Sequence, residues 1–141
     1  LAWLAEQGVP APEAEVLLRA AGGRPAEALA AHQARMDARQ WALLPRAMSQ
    51  GDVGAFKDVP LPEVVSRLQK LCHDVIAAQQ GAAPRFFAAE ALPGRPLSMR
   101  ALTGWWKQLQ QAARTAEHPL NTGLATEFLV SSAREALNSR G

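Results

Sequence analysis

The sequence has no tyrosine, one cysteine and few aromatic residues, which together make up 6% of its 141 positions. Strands draw on β-branched and aromatic side chains, so this scarcity disfavours a β-sandwich or a β-barrel. The single cysteine, Cys72, excludes an internal disulfide and cannot by itself hold a structural zinc ion. No apolar run reaches the ~20 residues of a membrane-spanning helix, and the first residues do not resemble a signal peptide. We therefore expect neither a membrane span nor a disulfide scaffold.

Alanine, in contrast, is abundant, with 29 copies in the chain. Because alanine has the highest helix propensity, the composition predicts an all-α protein, a helical bundle with a real hydrophobic core. The formal net charge is only +2. A charge of that size does not by itself indicate a nucleic-acid-binding protein.

The pattern of apolar residues and of proline and glycine predicts a series of helices. The clearest lies at 60–80, where apolar residues recur every three or four positions and Glu63–Arg67 and Lys70–Asp74 are expected as ion pairs on the outer face. Pro45 should kink or shorten the helix that contains it. The predicted helices span 1–7, 12–21, 25–35, 37–48, 60–80, 98–117 (capped by Ser98) and 121–138 (capped by Asn121 or Thr122), with a short turn at 51–56 and a loop at 81–96.

No arrangement of residues typical of a catalytic or metal site is present. Cys72 and His73 are neighbours on one helix and point about 100° apart, so they cannot act together as nucleophile and base. We expect Cys72 to be a small core residue. The sequence Gly22-Gly23 before a helix could cradle a phosphate, but it lacks the P-loop pattern and is better interpreted as a turn between helices.

A basic segment at 85–114 allows a second interpretation. It carries Arg85, Arg95, Arg100, Lys107 and Arg114 against one acid, Glu90. Trp105 and Trp106 lie within it, so a nucleic-acid-binding module that stacks bases on indole rings is the alternative function. Both tryptophans also belong to an apolar stripe, and at least one of them should be core. The same basic face could serve an acidic protein partner.

Two stretches carry a family resemblance. Residues 17–29 resemble the end of the helical lid of clamp-loader AAA+ proteins, in which a Gly-Ser-x-Arg-Asp-Ala-Leu pattern opens the last lid helix. Residues 113–121, followed by Leu124, Glu127 and Leu129, are similar to the link between the last two helices of delta-prime subunits of the bacterial DNA polymerase III clamp loader. The order of the intervening helices also matches, so the resemblance covers essentially the whole chain.

The resemblance implies a division into two parts, with the end of an AAA+ lid at 1–35 and a helical collar, an oligomerisation domain, at 36–141. Ala26 falls where ATP-binding relatives keep the arginine that senses the γ-phosphate, and alanine supplies no charge to a phosphate. This departure fits delta-prime, which does not hydrolyse ATP. The resemblance thus implies no catalytic activity and no cofactor in this stretch of chain.

The implied function is subunit assembly in a clamp loader that loads the sliding clamp during DNA replication. Its partners would be the gamma/tau and delta subunits of a hetero-pentamer in the bacterial cytoplasm, with DNA bound only indirectly and no membrane involved. The helices at 98–117 and 121–138 are the expected contact surfaces. The candidate interface residues are Trp105, Trp106, Phe128, Leu124, Arg100 and Arg114, and the aromatic ones could equally be core residues.

Overall fold

The computed structural model describes residues 2–8, 11–33, 38–116 and 122–141, with the side chains of 2 and 30–33 excepted. Across these ranges every regular element is a helix, which confirms the all-α prediction. The helices are α1 (Ala2–Glu6), α2 (Ala11–Ala20), α3 (Pro25–Gln33), α4 (Ala38–Gln50), α5 (Leu61–Gln79), α6 (Met99–Thr115) and α7 (Thr122–Leu137), with 3₁₀ turns at Val53–Phe56 and Ala89–Ala91.

The main core lies between α4, α5, α6 and α7, with α5 packed against both α6 and α7. The apolar stripe predicted on α5 is the centre of this core, and Cys72 is wholly buried within it as expected. Glu63 and Arg67 form the predicted ion pair on its outer face, at 3.0 Å between Oε1 and Nε. Ser98 caps α6 by accepting a hydrogen bond from the Ala101 amide at 3.1 Å.

A second, smaller core holds α1, α2 and α3 together. Its buried members are two leucines, Leu4 and Leu17, and three alanines. Gly22 and Gly23 both have positive φ and end α2, so this stretch is the helix–helix turn that the sequence predicts. The expected boundary between lid and collar at 35–36 lies outside the described residues, as do Asp37 and Asn121. The two-domain division therefore stays a prediction.

Pro45 lies inside α4, which continues to Gln50. Of the two outcomes predicted for Pro45, shortening of this helix was wrong, and a kink stays a prediction. Pro45 is itself buried, and the helix buries Trp41, Leu44 and Met48 on the same face. Burial of these large side chains offsets the local cost of an interior proline, which is about 3 kcal/mol.

The pairing of Lys70 with Asp74 on the outer face of α5 was also wrong. Asp74 is completely buried and accepts three backbone N–H groups from the loop that follows α5. Lys70 instead donates to the carbonyl oxygen of Ala20 at 2.9 Å and links α5 to the end of α2. Helical spacing allows an i, i+4 pair, but the loop after α5 folds back and offers Asp74 three backbone N–H donors inside the core, while Lys70 is held at the end of α2.

Candidate interaction surfaces

The apolar surface on α7 is the most exposed hydrophobic feature in the described part of the chain. Leu124 and Phe128 are one helical turn apart, and 64% and 60% of their surface is exposed. Both are candidate interface residues from the sequence, and neither is buried in the core of this chain. The core is instead reached by Thr126, Leu129, Val130, Ser132, Ala133, Ala136 and Leu137.

The smaller side chains of α7 face the core because three other helices pack against that side of the helix. α7 contacts α4, α5 and α6 at once, so its inner face is crowded from several sides. Alanine and serine at Ala133, Ala136 and Ser132 allow this close approach, and a phenylalanine there would not fit without moving the neighbouring helices. Phe128 therefore remains on the outer face of α7, which we define by Leu124 and Phe128.

A groove of about 460 Å³ adjoins this end of α7. It runs between the 3₁₀ turn and the first turns of α7, and its lining includes Val53, Phe56, Val59, Gly123 and Thr126. Val53 is itself 39% exposed. Partly exposed apolar groups beside a groove are typical of surfaces that receive a side chain from another molecule.

The two tryptophans of α6 have different environments. Trp105 is 2% exposed and belongs to the core, whereas Trp106 is only partly buried and packs against the core from its edge. The indole nitrogen of Trp105 is buried without a hydrogen-bond partner among the described residues. The ring of Trp105 therefore packs inside this chain, whereas part of the Trp106 side chain is accessible to solvent.

Two cations of the basic segment make contacts within the chain. Arg95 donates to the carbonyl oxygens of Leu137 and Ser139 at 2.9 and 3.1 Å and so satisfies the end of α7. Arg85 lies over the ring of Phe86, with 5.5 Å between the guanidinium carbon and the ring centroid. The remaining cations, Arg100, Lys107 and Arg114, are all on α6 and all exposed.

The loop after α5 is fixed by buried polar contacts that the sequence did not reveal. Asp74 accepts from the amides of Arg85, Phe86 and Phe87 at 2.9, 2.7 and 2.8 Å. The indole N–H of Trp41 donates to the Phe86 carbonyl at 3.1 Å, and its ring stacks on Phe87 with centroids 4.5 Å apart. A carboxylate directly beside a buried stripe was the available signal, since an isolated buried charge would be costly without such partners.

Cys72 has the properties of a core thiol. Burial raises the pKa of its thiol to about 12, so almost none is thiolate at neutral pH. Its sulfur lies 3.9 Å from the Leu102 carbonyl oxygen. Among the residues that the structure describes, no group of three or more histidine, cysteine or acidic side chains could hold a metal ion.

Ala26, the position of the missing phosphate sensor, is exposed near the start of α3. Arg24, two residues earlier, pairs with Glu27 at 2.9 Å, and both side chains are about half exposed or more. The cation nearest in sequence to Ala26 is thus already held by a neighbouring acid.

Neither a protein-family model, nor a curated protein, nor a solved structure matches this chain. In the described part of the chain, no helix combines the length and the hydrophobicity that crossing a bilayer requires.

Proposed function

We propose that this chain is a subunit-assembly domain, the collar of a clamp-loader subunit that resembles delta-prime. The observation that supports this most is the outer face of α7. Phe128 exposes 60% of its surface although the opposite face of the same helix is fully packed. The core of the bundle is complete without it, so this apolar surface is available to a neighbouring subunit.

The energetics of such a contact favour the outer face of α7 as its centre. Burial of apolar surface stabilises an interface by roughly 25 cal/mol per Å², and aromatic anchors contribute most of the binding energy. Arg100 and Arg114 on α6 lie outside the core and are suited to a polar rim. Rim charges select the partner and its orientation more than they add affinity.

The proposed role is mechanical. A rigid collar keeps the ATPase modules of gamma/tau and delta in a fixed order while ATP binding in those subunits opens the sliding clamp for DNA replication. The uncharged Ala26 and the Arg24–Glu27 pair support a subunit that does not sense the γ-phosphate. Under this proposal the chain needs no cofactor, performs no catalysis and works in the bacterial cytoplasm.

The direct test is reconstitution. This chain is mixed at micromolar concentration with delta and with the gamma/tau ATPase subunit, and the species are separated by gel filtration. The proposal expects all three to elute together as a larger species. Separate elution of this chain would contradict it.

Two matched variants test the surface. Phe128→Ser should weaken assembly at least tenfold, because the anchor is lost while the core is untouched. Leu43→Ser is the control, since Leu43 is a 46% exposed apolar residue on α4. Equal loss of assembly in both variants, or no loss in Phe128→Ser, would show that the outer face of α7 is not the contact. Circular dichroism should show both variants folded.

A further inference from the structure

We propose that α6 binds the phosphate backbone of nucleic acid directly, through a stripe formed by Arg100, Lys107 and Arg114. The three residues are spaced by seven, and seven residues turn an α-helix by two turns less about 20°. The side chains therefore project from one side of α6 at intervals of about 10.5 Å. All three are exposed.

Among the residues that the structure describes, the stripe has no acidic partner. α6 contains no aspartate or glutamate, and the sequence has none from 91 to 116. No ion pair joins any of the three cations to another described residue, whereas Arg24 and Arg67 are each paired with a glutamate. A positive row without acids creates a local potential that attracts a polyanion.

The groups between the cations favour nucleic acid over an acidic protein. Thr103, Gln110 and Gln111 lie on the same side of α6 and are exposed. Hydroxyl and amide groups, together with arginine and lysine, are the side chains that contact phosphate oxygens. The exposed side chains between the three cations on this side of α6 are polar, and the exposed phenylalanine is on α7.

Gly104 leaves the middle of the stripe without a side chain. It lies between Arg100 and Lys107 in the interior of α6, where glycine costs roughly 0.5–1 kcal/mol relative to alanine. A Cβ atom built on Gly104 would meet nothing within 4 Å. Packing within the chain therefore does not require glycine here, and the bare backbone leaves room for a ligand to approach the helix closely.

This proposal does not depend on the assembly function, and it assigns Arg100 and Arg114 to nucleic acid instead of to the polar rim of a subunit contact. A clamp-loader subunit could carry the stripe, and so could a protein of another class. In either case the contact is with the backbone, so the affinity should not depend on base sequence.

The test measures binding of labelled duplex and single-stranded oligonucleotides by fluorescence anisotropy at increasing salt. Three neutralised phosphates predict that log K falls against log salt with a slope of about −2.7 for duplex and about −2.1 for a single strand. The strand type that binds more tightly identifies the ligand. Absence of binding at about 50 mM salt would overturn the proposal.

Two triple variants separate the stripe from overall charge. R100Q/K107Q/R114Q and R24Q/R46Q/K57Q each change the formal net charge from +2 to −1. The first should abolish the salt-dependent binding, and the second should keep at least half of the affinity. Equal loss in both would overturn the proposal. A second result would also overturn it: the parent chain binds no DNA, and R100Q/K107Q/R114Q no longer assembles with the other subunits. That result identifies an acidic protein as the partner.

A pair of single variants tests the position. Gly104→Glu and Gly104→Gln are matched in size and differ by one charge, and both have space for the side chain. Gly104→Glu should bind at least fivefold more weakly than Gly104→Gln. Equal affinity of the two variants would show that the ligand does not lie on the α6 stripe.

Discussion

The two cores of this molecule differ in the size of the side chains that fill them. The main core of α4–α7 contains large side chains from four helices, among them Met48, Leu68 and Leu109. The small core of α1–α3 has only two buried leucines, and its other buried members are alanines. Since stabilisation grows with buried apolar area, the bundle should fold by itself, while α1–α3 should open more readily.

Contacts between the two regions are few but specific. Lys70 on α5 donates to the Ala20 carbonyl at the end of α2, and its Nζ lies 5.3 Å from the ring centroid of Phe86. α2 also packs against α4. α1–α3 are therefore attached through a limited junction, in which Ala20 of α2 is buried in the main core and Val16 packs against that core.

The largest expected effect comes from matched truncations in the two cores. Leu68 and Leu17 are both completely buried. Leu68→Ala should lower the free energy of unfolding by about 2–5 kcal/mol, because it leaves a cavity in the bundle. Leu17→Ala should leave the main urea transition within about 0.5 kcal/mol and instead speed amide exchange in residues 11–33.

Urea unfolding followed by circular dichroism, together with hydrogen exchange, checks both variants. Equal shifts of the main transition in Leu68→Ala and Leu17→Ala would show that the two cores unfold as one cooperative unit. The proposed difference between the regions would then be wrong.

A smaller loss is expected from Asp74→Asn within the bundle. The two carboxylate oxygens of Asp74 accept three amides, and an asparagine offers one acceptor oxygen in their place. At least one buried N–H then lacks a partner, at a cost of about 1–3 kcal/mol. The free energy of unfolding in urea measures this loss.

The control for Asp74 is Glu63→Gln, which removes a half-exposed acid from its pair with Arg67. Surface pairs of this kind contribute about 0–1 kcal/mol. If Asp74→Asn destabilised the protein no more than Glu63→Gln, the carboxylate would not be what holds the loop on the bundle.

The sequence was sufficient to predict the helices, because their apolar periodicity and their caps are local properties. Ser98 and the stripe on α5 are examples. The hydrogen-bond partners of Asp74 were not predictable, since they lie 11 to 13 residues away in a loop without periodicity. The sequence left open whether Phe128 lies in the core or at an interface, because α7 has apolar residues on two faces and only the packing of the neighbouring helices selects the face with small residues.

The candidate surfaces follow the same rule. The cations of 85–114 were visible in the sequence, but the contacts that Arg85 and Arg95 make within the chain were not. Arg95 is used by the end of α7, which comes 42 residues later. The seven-residue spacing on α6 was readable from the sequence, whereas the lack of compensating contacts required the fold.

The smallest expected effect concerns the junction, and it depends on pH. Burial lowers the pKa of Lys70 in the folded protein below 10.5, its value in an unfolded chain, although Glu63 acts in the opposite direction. Between the two pKa values the unfolded chain therefore binds more protons than the folded one, so this group makes the protein more stable as pH rises through that window. In Lys70→Met this contribution is absent. The free energy of unfolding of the parent chain minus that of Lys70→Met should therefore increase as pH rises from neutral towards 10.5. Lys57→Met, which removes an exposed lysine, is measured alongside as the control. A gap between the parent chain and Lys70→Met that stays constant or narrows with rising pH would mean that the Lys70 ammonium is not desolvated at the junction.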